Sequence, residues 1–247
     1  MLYRFLSLVG TVPRPALGLM KSAVKNCAVN YPNIISTAAA IINPVDGRLL
    51  RHLILTSDRT RGPVTHKSHI FTDVYDLPPY ADVASQAKDS RDIDNAGGKS
   101  DVSEMFSIDY LMRIHGARDI IFETQVQYWI TYKMVDFICT IEDQRVGVSV
   151  ARAMAYPSPD RFTAKMAARL LYKKLYGLIV ARNAVSDHQS FYRSVLHIWC
   201  QNQRIADLMQ DAFANLDNDD YGLDVKGVVI LQLTVCPDAQ LYRNRIL

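Results

Sequence analysis

Asp136 is the residue whose chemistry most needs explaining. It sits in the run Met134-Val135-Asp136-Phe137-Ile138-Cys139, where Val135, Phe137, Cys139 and Ile141 would share one face of a strand. The carboxylate is then left between Met134 and Ile138 on the opposite face. A carboxylate there is costly to bury unless it is hydrogen-bonded, ion-paired or bound to a metal, so it requires a partner. Just upstream, Glu123, Gln125 and Gln127 alternate with Phe122, Val126 and Tyr128, which predicts a second oxygen-rich strand face. Downstream, Arg161, Lys165, Arg169 and Lys173 recur every four residues with Lys174 beside them. Between Arg145 and Arg182, eight basic residues stand against the single acid Asp160. Like charges at this spacing cost an isolated helix about 0.2–0.5 kcal/mol per pair, so the stripe calls for an anionic partner. Phosphates of a nucleic acid would serve, as would acids of the chain itself, Asp211 or the group Asp217, Asp219 and Asp220.

The elements that position these residues are legible in the pattern. Ser103 to Met112 has helical spacing and Gly116 provides a stop. Strand-like segments follow at 119–131, 133–141 and 145–154, the last two joined by a turn at Glu142-Asp143-Gln144. A long helix over 163–182 is capped by Thr163, and Met166, Leu170, Leu171, Leu175 and Leu178 form its apolar stripe. A strand over 194–200, a helix over 203–216 and a strand over 227–236 complete an α-β-β-β-α-β-α-β order. That order predicts an α/β fold with a mixed central sheet flanked by helices.

With 247 residues, 49% of them apolar, the chain can bury one sizeable core, which excludes wholesale disorder. The formal charge of +3 is too small to mark a nucleic-acid binder by itself, so the placement of charge carries the argument. No apolar run is long enough to span a membrane. Cys27, Cys139, Cys200 and Cys236 lack zinc-site spacing and read as reduced core thiols. His66 and His69 form a lone pair without a matching second pair, a weak basis for a metal site.

The first 45 residues contain no Asp or Glu, while Arg4, Arg14, Lys21 and Lys25 are interspersed with apolar and hydroxyl residues. This is the composition of a mitochondrial import segment or of a basic N-terminal arm; without import, the location would be cytoplasmic or nuclear. It overlaps a hairpin expected over 33–57, with strands at 33–42 and 49–55 around Pro44 and Asp46-Gly47. Residues 58–102, rich in Pro, Asp and Ser and containing Gly97-Gly98, read as a polar linker ahead of a domain over 103–247.

From residue 103 to about 200 the chain resembles the PD-(D/E)xK nuclease superfamily, in particular its small Holliday-junction-resolvase-like members. The resemblance implies a restriction-endonuclease-like αβββαβ core, here with the N-terminal hairpin as an extension. It places Glu104 at the helix glutamate and Asp136 at the metal-binding aspartate, with Val135 where the family usually has Pro. The third motif departs: Gly147-Val148-Ser149-Val150-Ala151-Arg152 has neither the acid nor the lysine. Arg152 would stand in for the lysine and Glu123 would supply the missing acid. The implied chemistry is Mg²⁺-dependent phosphodiester hydrolysis, with Glu104, Glu123 and Asp136 as metal ligands, Arg152 beside them, and Arg161, Lys165, Arg169, Lys173 and Lys174 on the phosphates.

The resulting expectation is a nuclease-like nucleic-acid-binding protein. The alternatives are a catalytically inactive relative serving as a homodimer or a structural component of a larger complex, and an interaction domain for an acidic protein surface. His197 and Trp199 share a strand face and read as core. Tyr128, Trp129 and Tyr132 read as cross-strand packing, with base stacking as the alternative.

Overall fold

The computed structural model describes residues 34–39, 49–56, 64–70, 101–130, 132–216, 225, 228–237 and 239–242. Seven strands form one sheet: β1 (Ile34–Ala39), β2 (Val64–Ile70), β3 (Arg118–Phe122), β4 (Phe137–Ile141), β5 (Gln144–Ala153), β6 (Arg193–Cys200) and β7 (Val229–Val235). Their spatial order is β1-β2-β7-β6-β5-β4-β3. The central β2, β7, β6 and β5 are mutually parallel, and both edges are antiparallel. Among the described residues four α-helices accompany them, α1 (Leu49–Thr56), α2 (Asp101–His115), α3 (Ala164–Ala184) and α4 (Gln203–Ala214). The protein is an α/β fold with a mixed sheet packed against helices, and α2-β3-β4-β5-α3-β6 reproduces the order expected from the sequence.

Parallel strands covered on both faces should be apolar throughout, and β6 is buried at every position. Alternation then sorts the sheet into two cores. On one face Val146, Val148 and Val150 of β5, Val195 and Trp199 of β6 and Ile230 of β7 pack against Met105, Ile108 and Leu111 of α2. On the other, Ala151, Ala153, Leu196, Ile198, Leu231 and Leu233 meet Leu171, Leu175 and Leu178 of α3 and Ile205 and Met209 of α4.

Local chemistry sets the boundaries. Gly116, at φ +67°, ends α2 in a conformation that favours glycine. Thr163 Oγ1 accepts the Met166 N–H at 3.3 Å and caps α3. Glu142 and Asp143, both at positive φ, make the tight turn between β4 and β5. Gly147 is required on β5 because a Cβ there would collide with the Phe191 ring.

Three sequence expectations change. The antiparallel N-terminal pair exists, but the partner of β1 is β2, while 49–55 folds as α1 and buries Leu53 and Ile54 against the α2-side core. β2 lies within the expected linker 58–102 yet pairs with both β1 and β7. Its charged and polar residues misled the pattern because they have internal partners: Lys67 Nζ meets Asp207 of α4 at 2.6 Å, and Ser68 Oγ meets the Tyr110 hydroxyl at 2.7 Å. Third, the strand expected over 119–131 stops at Phe122. Apart from β1, the reading of 1–45 as an import segment or basic arm falls outside the described residues, as do Cys27, Gly97-Gly98 and the acids at 217, 219 and 220.

Candidate functional site

Asp136 lies one residue before β4, where its backbone N–H still bonds Val148 O at 2.9 Å. Its side chain follows Ile138 onto the α3 face, opposite Ser149 of β5. The partner demanded by the sequence is threefold. Ser149 Oγ donates to Asp136 Oδ2 at 2.8 Å, the Val150 backbone N–H donates to the same oxygen at 2.5 Å, and Lys174 Nζ stands 3.7 Å away. The ammonium also donates to Ser149 Oγ at 3.3 Å. A largely buried carboxylate is thus stabilised by a hydroxyl, an amide and a cation, with Asp136 about 16% and Lys174 about 27% exposed, so water reaches the pair.

Glu123 adjoins this group. It begins the short 3-10 turn after β3, and its backbone N–H bonds Asp136 O at 3.1 Å. Both acids act on Tyr128, whose hydroxyl accepts the Val135 N–H at 3.0 Å. Burial first, and then the charges of Glu123 and Asp136, push that phenol up to about 12. Because β3 has ended, Glu123, Gln125 and Gln127 do not line one strand face. Gln125 Oε1 accepts the Phe122 N–H, and the Gln127 N–H goes to Gln189 Oε1.

The remaining expected catalytic residues lie elsewhere. Arg152 continues the valine register of β5 and so belongs to the α2 face. Glu104 is on α2, packed against that same face: Trp199, paired with Arg152 across β5 and β6, donates its indole N–H to Ser103 O at 3.2 Å, next to Glu104, and to Ser107 Oγ at 2.8 Å one turn on. The sheet therefore separates Glu104 and Arg152 from the side that holds Ser149, Asp136 and Lys174. Among the described residues no three His, Cys, Asp or Glu side chains group as a metal-ion site. A Mg²⁺ ion held by Glu104, Glu123 and Asp136 does not fit this arrangement, and Asp136 Oδ2 is already committed to two donors and faces an ammonium.

The basic residues divide in a way the sequence reading did not separate. Arg161, Lys165, Arg169 and Lys173 are exposed, and among the described residues none enters an ion pair. Asp211 is exposed on α4 and joins none of the ion pairs among the described residues, so it does not neutralise them. Lys174 is about 100° further round the helix than Lys173 and points to the sheet instead. Interleaved with the stripe are Tyr172 and Tyr176, whose rings stack at 6.3 Å between centroids and 25° between planes. Tyr172 lies seven residues after Lys165 and Tyr176 seven after Arg169, about two full turns, which puts both on the stripe's own face.

Beside them lie residues 127–130 and 132–133. The Trp129 N–H bonds Ala184 O and the Ser186 N–H bonds Gln127 O, both at 2.8 Å, fastening the segment to the end of α3. Three residues on, the charge and hydrogen bond of Tyr132 raise the Tyr176 phenol above its ordinary value, so the two hydroxyls are neighbours. Trp129 is 69% exposed, Ile130 71% and Tyr132 64%, so the expected packing role fails for Trp129 and Tyr132 and holds only for the half-buried Tyr128.

No protein-family model matches the chain, and no solved structure matches it. The chain is 34% identical over 124 residues to the AAC-rich mRNA clone AAC4 protein of Dictyostelium discoideum, a match covering 48% of this chain and 18% of that protein. The chain therefore spans less than a fifth of that relative's length.

Proposed function

We propose that this protein binds nucleic acid through the outer face of α3. The observation that carries the reading is the row Lys165, Arg169 and Lys173 of α3, preceded by Arg161 in the 3-10 turn before it, all exposed and without ion-pair partners among the described residues. Unpaired cations at this spacing repel one another, and a polyanion turns that repulsion into attraction while releasing counterions. The Asp136–Ser149–Lys174 cluster lies on the inner side of the same helix and ties it to the sheet. Its role in this reading is positional, and the protein is a nuclease-like binding component with no three-carboxylate metal centre among the described residues.

The test titrates purified protein into labelled single-stranded and duplex oligonucleotides between 50 and 200 mM salt (about the range over which such contacts weaken steeply). Affinity should fall linearly on a log–log plot. Lys165→Ala with Arg169→Ala and Lys173→Ala should reduce affinity and remove roughly three charges' worth of slope, on the order of 0.7–0.9 per phosphate contact. An unchanged slope in the triple variant refutes the assignment. The same mixtures incubated with Mg²⁺, Mn²⁺ or EDTA test hydrolysis: metal-dependent cleavage lost in Asp136→Asn would overturn the purely positional role of Asp136.

A further inference from the structure

Trp129, Ile130 and Tyr132 present large apolar side chains to water at a place where a folded domain would ordinarily bury them. Trp129, Ile130 and Tyr132 are each more than 60% exposed, and Tyr172 and Tyr176 stack on the adjoining helix face. Exposed apolar area of this kind is a standing cost of about 25 cal/mol per Å² until something covers it. The cations around it say what kind of cover fits. Lys133 Nζ lies 5.0 Å from the centroid of the Tyr132 ring, and Lys173 directly follows Tyr172 on the basic face. Planar apolar surface interleaved with positive charge is complementary to a chain of planar bases joined by phosphates.

A duplex fits this surface poorly, because its base faces are already stacked on one another and only its phosphates and groove edges are available. A single strand offers both parts at once, its bases to the rings and its phosphates to the cations. We infer that Trp129, Tyr132, Tyr172 and Tyr176 form a stacking platform that makes single-stranded nucleic acid the preferred ligand of this surface. The inference rests on the nucleic-acid reading above and adds the form of strand that is bound.

The two tryptophans give the experiment an internal reporter. Trp199 is fully buried, with its indole N–H bonded to Ser107, whereas Trp129 is exposed, so fluorescence quenching on ligand addition reports Trp129. Fluorescently labelled oligo-dT and oligo-rU 20-mers (about the length of two single-strand sites) and a duplex of the same length would be titrated with wild-type protein, Trp129→Ala with Tyr132→Ala, and Trp129→Phe, affinity being read by anisotropy of the label because both variants lack Trp129. Light scattering is recorded in parallel.

The single strands should bind at least about 10-fold more tightly than the duplex and quench the wild-type emission. The double alanine variant should lose roughly 5- to 150-fold per base contact on single strands, with duplex affinity and salt slope unchanged. Trp129→Phe should retain most of the single-strand affinity. Equal affinity for both forms, or equal losses on both in the double variant, overturns the platform while leaving the basic-face reading intact. Binding of neither form sinks both. A concentration-dependent dimer that the double alanine variant abolishes would assign the patch to a second copy of the chain and also overturn the inference.

Discussion

On the α2 side of β2, β6 and β7, polar side chains are sealed among neutral partners; on the α3 side of β4 and β5 they are charged and reach water. His66, Ser68, Tyr110, His197, Gln232 and Thr234 are all fully buried. Gln232 accepts from His66 and donates to Ser68 Oγ at 3.0 Å and Thr234 Oγ1 at 3.2 Å, Ser68 shares a proton with Tyr110, and His197 Nε2 meets Thr234 Oγ1 at 2.9 Å. Such a network registers three strands and a helix against slippage, with His197 Nδ1 left without a hydrogen-bond partner among the described residues, and nothing in it faces solvent. Around Asp136 the donors converge on one carboxylate and include an ammonium beneath an exposed basic helix. Burial alone does not distinguish a functional polar group from a structural one; charge and a path to water do.

The comparison breaks first if the buried network is dispensable. Gln232→Ala removes the partner of His66 Nδ1, worth about 1–3 kcal/mol when orphaned, and one bond each from Ser68 and Thr234, which keep Tyr110 and His197, so with the cavity a total loss of about 2–4 kcal/mol is expected in urea denaturation. Nucleic-acid affinity of the folded fraction should not change.

Acid should attack the same face. Burial lowers His66 to about 4 and His197 to about 3, the latter helped by the charge of His66. Both are therefore neutral when folded, while the unfolded chain binds their protons from about pH 6.5 downward. Their contribution is fully present above that pH and is lost as pH falls toward 4, at about 1.4 kcal/mol per pH unit for each histidine. A denaturation midpoint flat between pH 7 and 4.5 (a window set by about these two pKa values) would contradict the sealed, neutral description.

On the charged face the expected effects are smaller in stability and larger in binding. Asp136→Ala should cost about 1–3 kcal/mol by freeing Ser149, the Val150 amide and Lys174, with Asp136→Asn recovering part of it. Its nucleic-acid affinity should be unchanged or higher, since one negative charge is gone. Smallest in stability is Arg169→Ala, within about 0.5 kcal/mol by thermal unfolding, yet it should lower the salt slope by about 1.

Much of the frame could be read from periodicity because the strands that matter are buried on both sides and the helices are amphipathic. The compensation of Asp136 was also foreseeable in kind, since an alternating apolar strand leaves a carboxylate no alternative. Its partners were less so. Ser149 is an ordinary strand serine until the β4–β5 register places it opposite Asp136, although the helical angle of Lys174 already set it apart from Lys173. β2 was missed because His66, Lys67 and Ser68 look like solvent-facing residues when their partners are some 40 to 170 positions away. Glu104 and Arg152 enter only through the resemblance, and the side of the sheet each faces depends on packing that motif spacing does not encode. Trp129 and Tyr132 look like strand aromatics, and only the early end of β3 turns them outward.

Amide hydrogen–deuterium exchange of the full chain with and without oligo-dT tests the two-face account most directly. The account predicts new protection confined to 128–133 and 161–176, with β2, β6 and β7 slow to exchange in both states. Protection centred on α2 and β7, or binding that leaves 161–176 unaffected, would contradict it.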